Sequence, residues 1–211
     1  MLETEPYQAQ AEIWPSRGRH ILAHFDDRTI IVYQAYRPSI GCFAAEHQRF
    51  GGEFSFSRMS WVKPNFLWMM YRSGWGTKAN QEMTIALRLR REFFDSLLAA
   101  AVSSTWDRDQ FASEEEWSKG VSQSLVRLQW DPDHDPFSAK LERRAIQLGL
   151  RGETLDAFAN RELVEVIDLS EFVAEQRDRV SSKGVESLVT PRERIYRLSD
   201  PSVAARLRLD E

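Results

Sequence analysis

The 211-residue sequence predicts an α+β fold, a mixed or mainly antiparallel sheet flanked by helices. Three observations carry that expectation. Six β-rich runs interleave irregularly with five or six helical segments, which suits neither a strict βαβ repeat nor an all-β sandwich. The first two runs are separated only by Asp26-Asp27-Arg28, a turn short enough for a hairpin and too short for a parallel crossover. Apolar residues make up 42% and charged residues 28%, enough to bury one sizeable core in a chain of this length.

Taken in order, residues 1–17 read as a loosely held arm, because Pro6, Pro15, Arg17 and Gly18 interrupt any periodicity. A single globular domain is expected over residues 18–180. His20 to Phe25 and Thr29 to Tyr36 form its first two strands. Ser39 to Phe50 carries Ile40, Phe43, Ala44 and His47 at helical spacing, with Ser39 as cap and Gly51-Gly52 as stop. A second helix runs from Pro64 to Ser73, with proline in its first turn and Gly74 ending it. Phe66, Met69 and Met70 are its core stripe. Met83 to Arg90 alternates Ile85, Leu87 and Leu89 with Thr84, Ala86, Arg88 and Arg90, the pattern of a strand with one wet face. Helices follow at Glu92 to Ser103 and Ser113 to Lys119, the latter with Glu116 three residues after its cap. Strands are expected at Leu125 to Trp130, Arg144 to Leu150 and Leu163 to Leu169, and helices at Glu153 to Asn160 and Ser170 to Val180. Residues 181–211 read as a polar, partly disordered tail containing Pro191 and Pro201.

Composition also excludes function classes. The net charge of -4, from 28 basic and 32 acidic residues, does not create the field of a general nucleic-acid or membrane-surface binder. No apolar run approaches the ~20 residues needed to span a bilayer. One cysteine, Cys42, and a polar, acidic N-terminus point to the cytoplasm. There is no GxGxxG, GxxxxGK[ST], HExxH, paired CxxC or GxSxG string, and His20, His24, His47 and His134 lack metal-ligand spacing, so no metal is expected.

The densest chemistry lies between Trp61 and Lys78, where Trp61, Trp68, Tyr71 and Trp75 stand among Lys63, Arg72 and Lys78. Basic groups beside an aromatic wall are costly to bury unless an anion meets them. Arg72 offers a bidentate fork for phosphate, Ser73 a hydroxyl, Gly74 and Gly76 close backbone approach, and Trp68 or Trp75 a stacking surface. The competing expectation is that Arg72 pairs with an internal carboxylate. A second cluster, Gln129 to Pro136, offers Gln129 and Asp131 at the end of a strand, where the remaining aspartates suit a solvated turn. Tyr33, Gln34 and Tyr36 supply polar handles for a pocket edge.

The strings HFDDRTIIVYQAYRPSIG, RMSWVKPNFLWMMYRSGWGTK, VRLQWDPDHD and RRAIQLGL together resemble the family called domain of unknown function 4291, over roughly His20 to Val173. Its hallmark Met-Tyr-Arg-Ser-Gly-Trp is unbroken here from Met70 to Trp75. A weaker likeness of layout is to the ADP-ribosyltransferase superfamily, which holds NAD in the cleft of a split mixed sheet. That resemblance implies an NAD cofactor, with Gln34 or Tyr36, then Tyr71 to Ser73, then Glu165 at positions where the superfamily has Arg or His, Ser or Tyr, and Glu.

Three functions are then in play. A nucleotide- or NAD-using transferase would place Arg72 and Lys63 on phosphates and Asp131 or Glu165 beside a developing cation, in a deep pocket. A module for RNA or single-stranded nucleic acid would use the same groups in an open groove. An interaction protein would have Arg72 paired internally and no pocket. Oligomeric state is not legible.

Overall fold

The computed structural model describes residues 2–210. In chain order the strands are β1 (Thr4–Pro6), β2 (Arg17–Arg19), β3 (Leu22–Ala23), β4 (Thr29–Tyr36), β5 (Ser60–Val62), β6 (Met83–Arg90), β7 (Val102–Ser103), β8 (Val126–His134), β9 (Lys140–Leu150), β10 (Leu163–Asp168), β11 (Val189–Pro191) and β12 (Arg194–Ile195). The helices are α1 (Tyr7–Ile13), α2 (Pro38–His47), α3 (Phe66–Ser73), α4 (Arg91–Ala100), α5 (Glu114–Gln123), α6 (Gly152–Asp156), α7 (Ser170–Lys183) and α8 (Pro201–Arg206), with one π-helical turn at Ala157–Arg161 continuing α6. The fold is α+β, built on two larger sheets with the two-stranded pairs β1-β11 and β3-β12 beside them; the hairpin expected from the first two strand runs is not formed, since they meet only at a single Phe25–Ile30 bridge. None of the described helices is long and apolar enough to cross a membrane.

The first sheet is antiparallel, in the order β10-β6-β4. Along β4, Ile30 and Val32 enter one apolar cluster with Ile85, Leu87 and Leu89 of β6, while Ile31 and Tyr33 enter a second with Ala86. Two-residue periodicity in a sheet covered on both faces produces this division. The expectation of a wet face on β6 is met only at its end for that reason: Thr84 and Ala86 are buried, Arg88 is half-buried in an ion pair with Glu165, and Arg90 alone is exposed.

The second sheet runs β2-β9-β8-β7, with β5 on the β2 edge of β9. β8 does not end at Trp130 as its sequence suggests. It continues to His134, with Pro132 opposite Arg144 and a register shift before His134. β7 pairs only with Arg127 and Leu128, so at Pro132 that side of β8 is a free edge, and a missing N–H costs little there. A bridge between Tyr33 and Lys63 joins the two sheets, with the Tyr33 N–H donating to the Lys63 carbonyl at 2.6 Å.

Both terminal segments are docked, in contrast to the arm and tail expected. β1 pairs with β11, and Gln10 is buried with its Nε2 donating to Thr190 Oγ1 at 2.8 Å and its Oε1 accepting from the Glu193 N–H at 2.7 Å. Trp14 Nε1 donates to the Glu193 carbonyl, and Tyr196 is buried with its hydroxyl on Asp95. Partners some 180 residues apart leave no local periodicity, so proline-broken segments read as loose.

Helix boundaries follow local chemistry. Pro38 opens α2 and Gln48, with φ of 55°, ends it, so Ser39 is not the cap and Gly51-Gly52 not the stop. The Ser39 hydroxyl instead donates to Glu53. Ser113 caps α5 as expected, although the Glu116 carboxylate reaches back to the Ala112 N–H. Asn65, rather than Pro64, initiates α3, its Oδ1 accepting from the Trp68 N–H at 2.7 Å. Asn65→Ala is expected to lower stability by about 1–2 kcal/mol, measured by denaturant midpoint. A loss below a few tenths of a kcal/mol would show that the neighbouring Glu193 carboxylate caps α3 unaided.

Candidate functional site

A cleft of about 890 Å³ opens where the sheets meet. Its lining comes from the end of β4 (Gln34, Tyr36), the start of α2 (Arg37), the loop from Glu53 to Met59, β5 with Lys63, α3 (Met69, Arg72), and Gln129 and Gln147 of β8 and β9. Gln34 is buried, and its Nε2 donates to Ser60 Oγ at 2.7 Å and to the Trp61 carbonyl at 3.1 Å. Its Oε1 accepts from the Tyr36 hydroxyl at 2.7 Å. Burial pushes that phenol well above its ordinary value, so it stays protonated. The result is a rigid polar wall.

On the opposite side Gln147 and Gln129 donate to the two oxygens of Asp131, at 2.7 and 3.1 Å. Partial burial raises the Asp131 carboxyl above its usual range, against the pull of those bonds and of Lys63.

Lys63 is 5% exposed, and its Nζ donates to the Trp61 carbonyl at 3.1 Å while lying 5.0 Å from the centre of the Trp68 ring. Among the described residues it forms no ion pair. Desolvation, reinforced by the nearby Arg72 guanidinium and opposed by Asp131, lowers its pKa to about 7. Arg72 is exposed at the cleft, and neither it nor Arg58 forms an ion pair among the described residues. Arg37 is held by Glu53 at 2.7 Å. The expectation that an internal carboxylate partners Arg72 is therefore not met.

A family-wide sequence profile described as Domain of unknown function (DUF4291) matches residues 20–196. The chain belongs to this family. No curated protein matches the sequence. The matched span reaches past Val173 to include Glu193, a residue the sequence offered no reason to notice. Glu193 is 1% exposed, and its carboxylate accepts from the Phe66 N–H at 2.7 Å and from Asn65 Nδ2 at 3.3 Å. Desolvation drives its pKa well above the ordinary glutamate value. It ties the C-terminal segment to the first turn of the helix that carries Arg72.

Most of the family's hallmark string is architecture. Met70 is core. Tyr71 does not line the cleft but stacks on buried His134, with ring centroids 3.5 Å apart and planes 8° apart. Ser73 is fully buried, its hydroxyl donating to the Met69 carbonyl and accepting from the Gly76 N–H, so it is no catalytic hydroxyl. Gly74, Trp75 and Gly76 have φ of 59°, 54° and 72°, three successive left-handed residues closing α3. Trp75, a poor choice for that conformation, is anchored by its buried ring and by Nε1 donating to the Pro136 carbonyl, so it offers no stacking face. Only Arg72 of the six lines the cleft.

Other sequence candidates also fall away. Tyr33 is fully buried against Phe66, because its position on β4 points to the second core. Trp68 is buried beneath Lys63. Lys78 turns back to donate to the Tyr71 and Arg72 carbonyls at the end of α3. Glu165 pairs with Arg88 at 2.8 Å and does not line the cleft. The structure brings together Gln34, Tyr36, Lys63, Arg72 and Gln129, with Asp131 held beside Gln129. Sequence reasoning missed Arg37, Glu53, Arg58 and Ser60, which stand in or beside an irregular loop; Met59-Ser60-Trp61-Val62 alternation was the available signal for β5.

Proposed function

We propose that this protein binds a phosphate-bearing nucleotide, with NAD the first candidate, in the cleft between its two sheets. One observation carries the proposal: two unpaired arginines, Arg58 and Arg72, face a concave site in a protein whose net charge is -4. A guanidinium fork matches phosphate oxygens bidentately. The volume lies in the range of small-molecule sites, and the amide-rich wall of Gln34, Gln129 and Gln147 suits base or ribose edges. Stacking passes from the buried Trp68 and Trp75 to the half-buried Trp61, which does line the cleft. Lys63, only partly charged near neutrality, sits deeper than the arginines and is left for the sugar. Glu165, the glutamate the transferase likeness implies, lies outside the cleft in an ion pair with Arg88, so the reading is of binding rather than of glycosyl transfer.

Calorimetric titration with NAD, ADP-ribose, ATP and inorganic phosphate tests it. At least one nucleotide should bind, and Arg72→Ala should weaken it roughly 10- to 100-fold, the worth of a charge-assisted hydrogen bond of about 1.5–3 kcal/mol. Equal affinity in the variant, or no binding of any of the four, would sink the proposal. A short RNA that binds more tightly than the nucleotides, with steep salt dependence, would move the function to nucleic acid.

A further inference from the structure

We propose that Lys63 is a carbonyl-reactive amine, forming an imine with the aldehyde or ketone of a phosphorylated sugar held in the cleft. The inference rests on the phosphate-binding reading of the same site. Of the five lysines, Lys78, Lys119, Lys140 and Lys183 are exposed and Lys63 alone is buried. An ammonium has three N–H groups to satisfy, and a buried lysine is ordinarily paired with a carboxylate. Among the described residues the amine has one hydrogen-bond acceptor, the Trp61 carbonyl, with an aromatic ring on another side and an open cleft before it. That environment suits a neutral amine with a lone pair to offer.

The charges around it act in opposite directions, with Arg72 outweighing Asp131. Arg72 on α3 opposes protonation and Asp131 on β8 favours it, while Arg37, Glu53 and Arg58 line the rest of the cleft. With a pKa of about 7 in place of 10.5, the fraction present as free amine at neutral pH rises about a thousandfold. Proximity of a second cation and desolvation are the two recognised ways of activating a lysine nucleophile.

In the step itself the Lys63 lone pair forms a C–N bond to the carbonyl carbon as the C=O π pair moves to oxygen. A proton passes from nitrogen to that oxygen, giving a carbinolamine. Loss of water leaves the imine, so the balance is amine plus carbonyl to imine plus water, with no redox partner. Arg72 and Arg58 on the phosphate would hold the carbonyl carbon at the amine.

The test uses the whole protein and pyridoxal 5′-phosphate, an aldehyde carrying a phosphate, with borohydride to reduce the imine, followed by peptide mapping. The adduct should concentrate on Lys63 over the four exposed lysines, with its rate rising as pH increases from about 6 to about 8. It should be absent in Lys63→Met, a variant that keeps the apolar stem and folds without the charge. Labelling spread over the exposed lysines, or a Lys63 rate indifferent to pH across that range, would overturn the proposal. Phosphate-free pyridoxal separates the two readings. If it labels Lys63 as fast as the phosphorylated aldehyde and Arg72→Ala changes neither, the amine chemistry stands and phosphate binding falls. If nucleotides bind and no Lys63 adduct forms, the reverse holds.

Discussion

Arg143→Met is expected to lower stability by about 3–5 kcal/mol. Arg143 and Asp133 form a buried ion pair at 2.7 Å, with side chains 6% and 2% exposed. The guanidinium also donates to the Pro15 carbonyl at 2.6 Å and lies 5.3 Å from the Trp14 ring centre, so it fastens the N-terminal segment to β9. Without it Asp133 is a lone carboxylate in the interior. Burial already raises the Asp133 pKa despite the arginine's opposing pull, and removing that pull raises it further. A carboxylate whose folded pKa exceeds its unfolded value binds more protons when folded, so the variant should lose additional stability as pH rises. Denaturant titrations at several pH values measure both effects. The double variant Asp133→Leu/Arg143→Met should recover most of the loss, because apolar groups of similar size need no counter-charge. A single-variant loss under about 1 kcal/mol, or no recovery in the double, would show that the pair is not what holds this corner together.

Lys63→Met should do the opposite and stabilise the protein at neutral pH. The drop in Lys63 pKa from 10.5 to about 7 corresponds to roughly 5 kcal/mol of unfavourable charge burial as an upper bound. Its sign follows from proton counts. Between about 7 and 10.5 the unfolded chain holds the Lys63 proton and the folded chain does not, so stability rises with pH across that window; below about 7 the full penalty applies. Replacement by methionine removes the penalty and flattens that rise, with an expected gain of about 2 kcal/mol or more near pH 7 after the lost hydrogen bond to Trp61 is allowed for. Denaturant midpoints for both proteins across the window check it. A variant less stable than the parent, with the pH slope unchanged, would mean that Lys63 is buried as a paired cation. A gain of that size in Lys63→Met would match a group retained for chemistry rather than for folding.

Central elements were legible because their signals are local. The eight residues of β6 alternate strictly, Gly74 marks the end of α3, and Ser113 with Glu116 marks the start of α5. Peripheral elements were not, since β1 and β11 hold each other across the whole chain and neither is long enough to show a period. The candidate site was half legible. Lys63 and Arg72 stood out as charges among aromatics, and Gln129 with Asp131 as polar groups on a strand. Tyr33, Ser73, Trp75, Lys78 and Glu165 carried equally suggestive chemistry and proved to be core, cap or ion-pair residues. Side-chain type does not reveal which way a residue faces once a sheet is covered on both sides.

By itself the sequence determined the α+β class, the strand from Thr29 to Tyr36, the helix of the hallmark string and membership of its family, because periodicity and contiguous motifs are written within a few residues. Tertiary structure alone decided that the Met70 to Trp75 string closes a helix and leaves only Arg72 in the cleft, and that Glu193 anchors that helix from the far end of the chain. It also decided that Lys63 loses its water without gaining a counter-charge. Desolvation and partner geometry depend on residues distant in sequence, so no local pattern can report them.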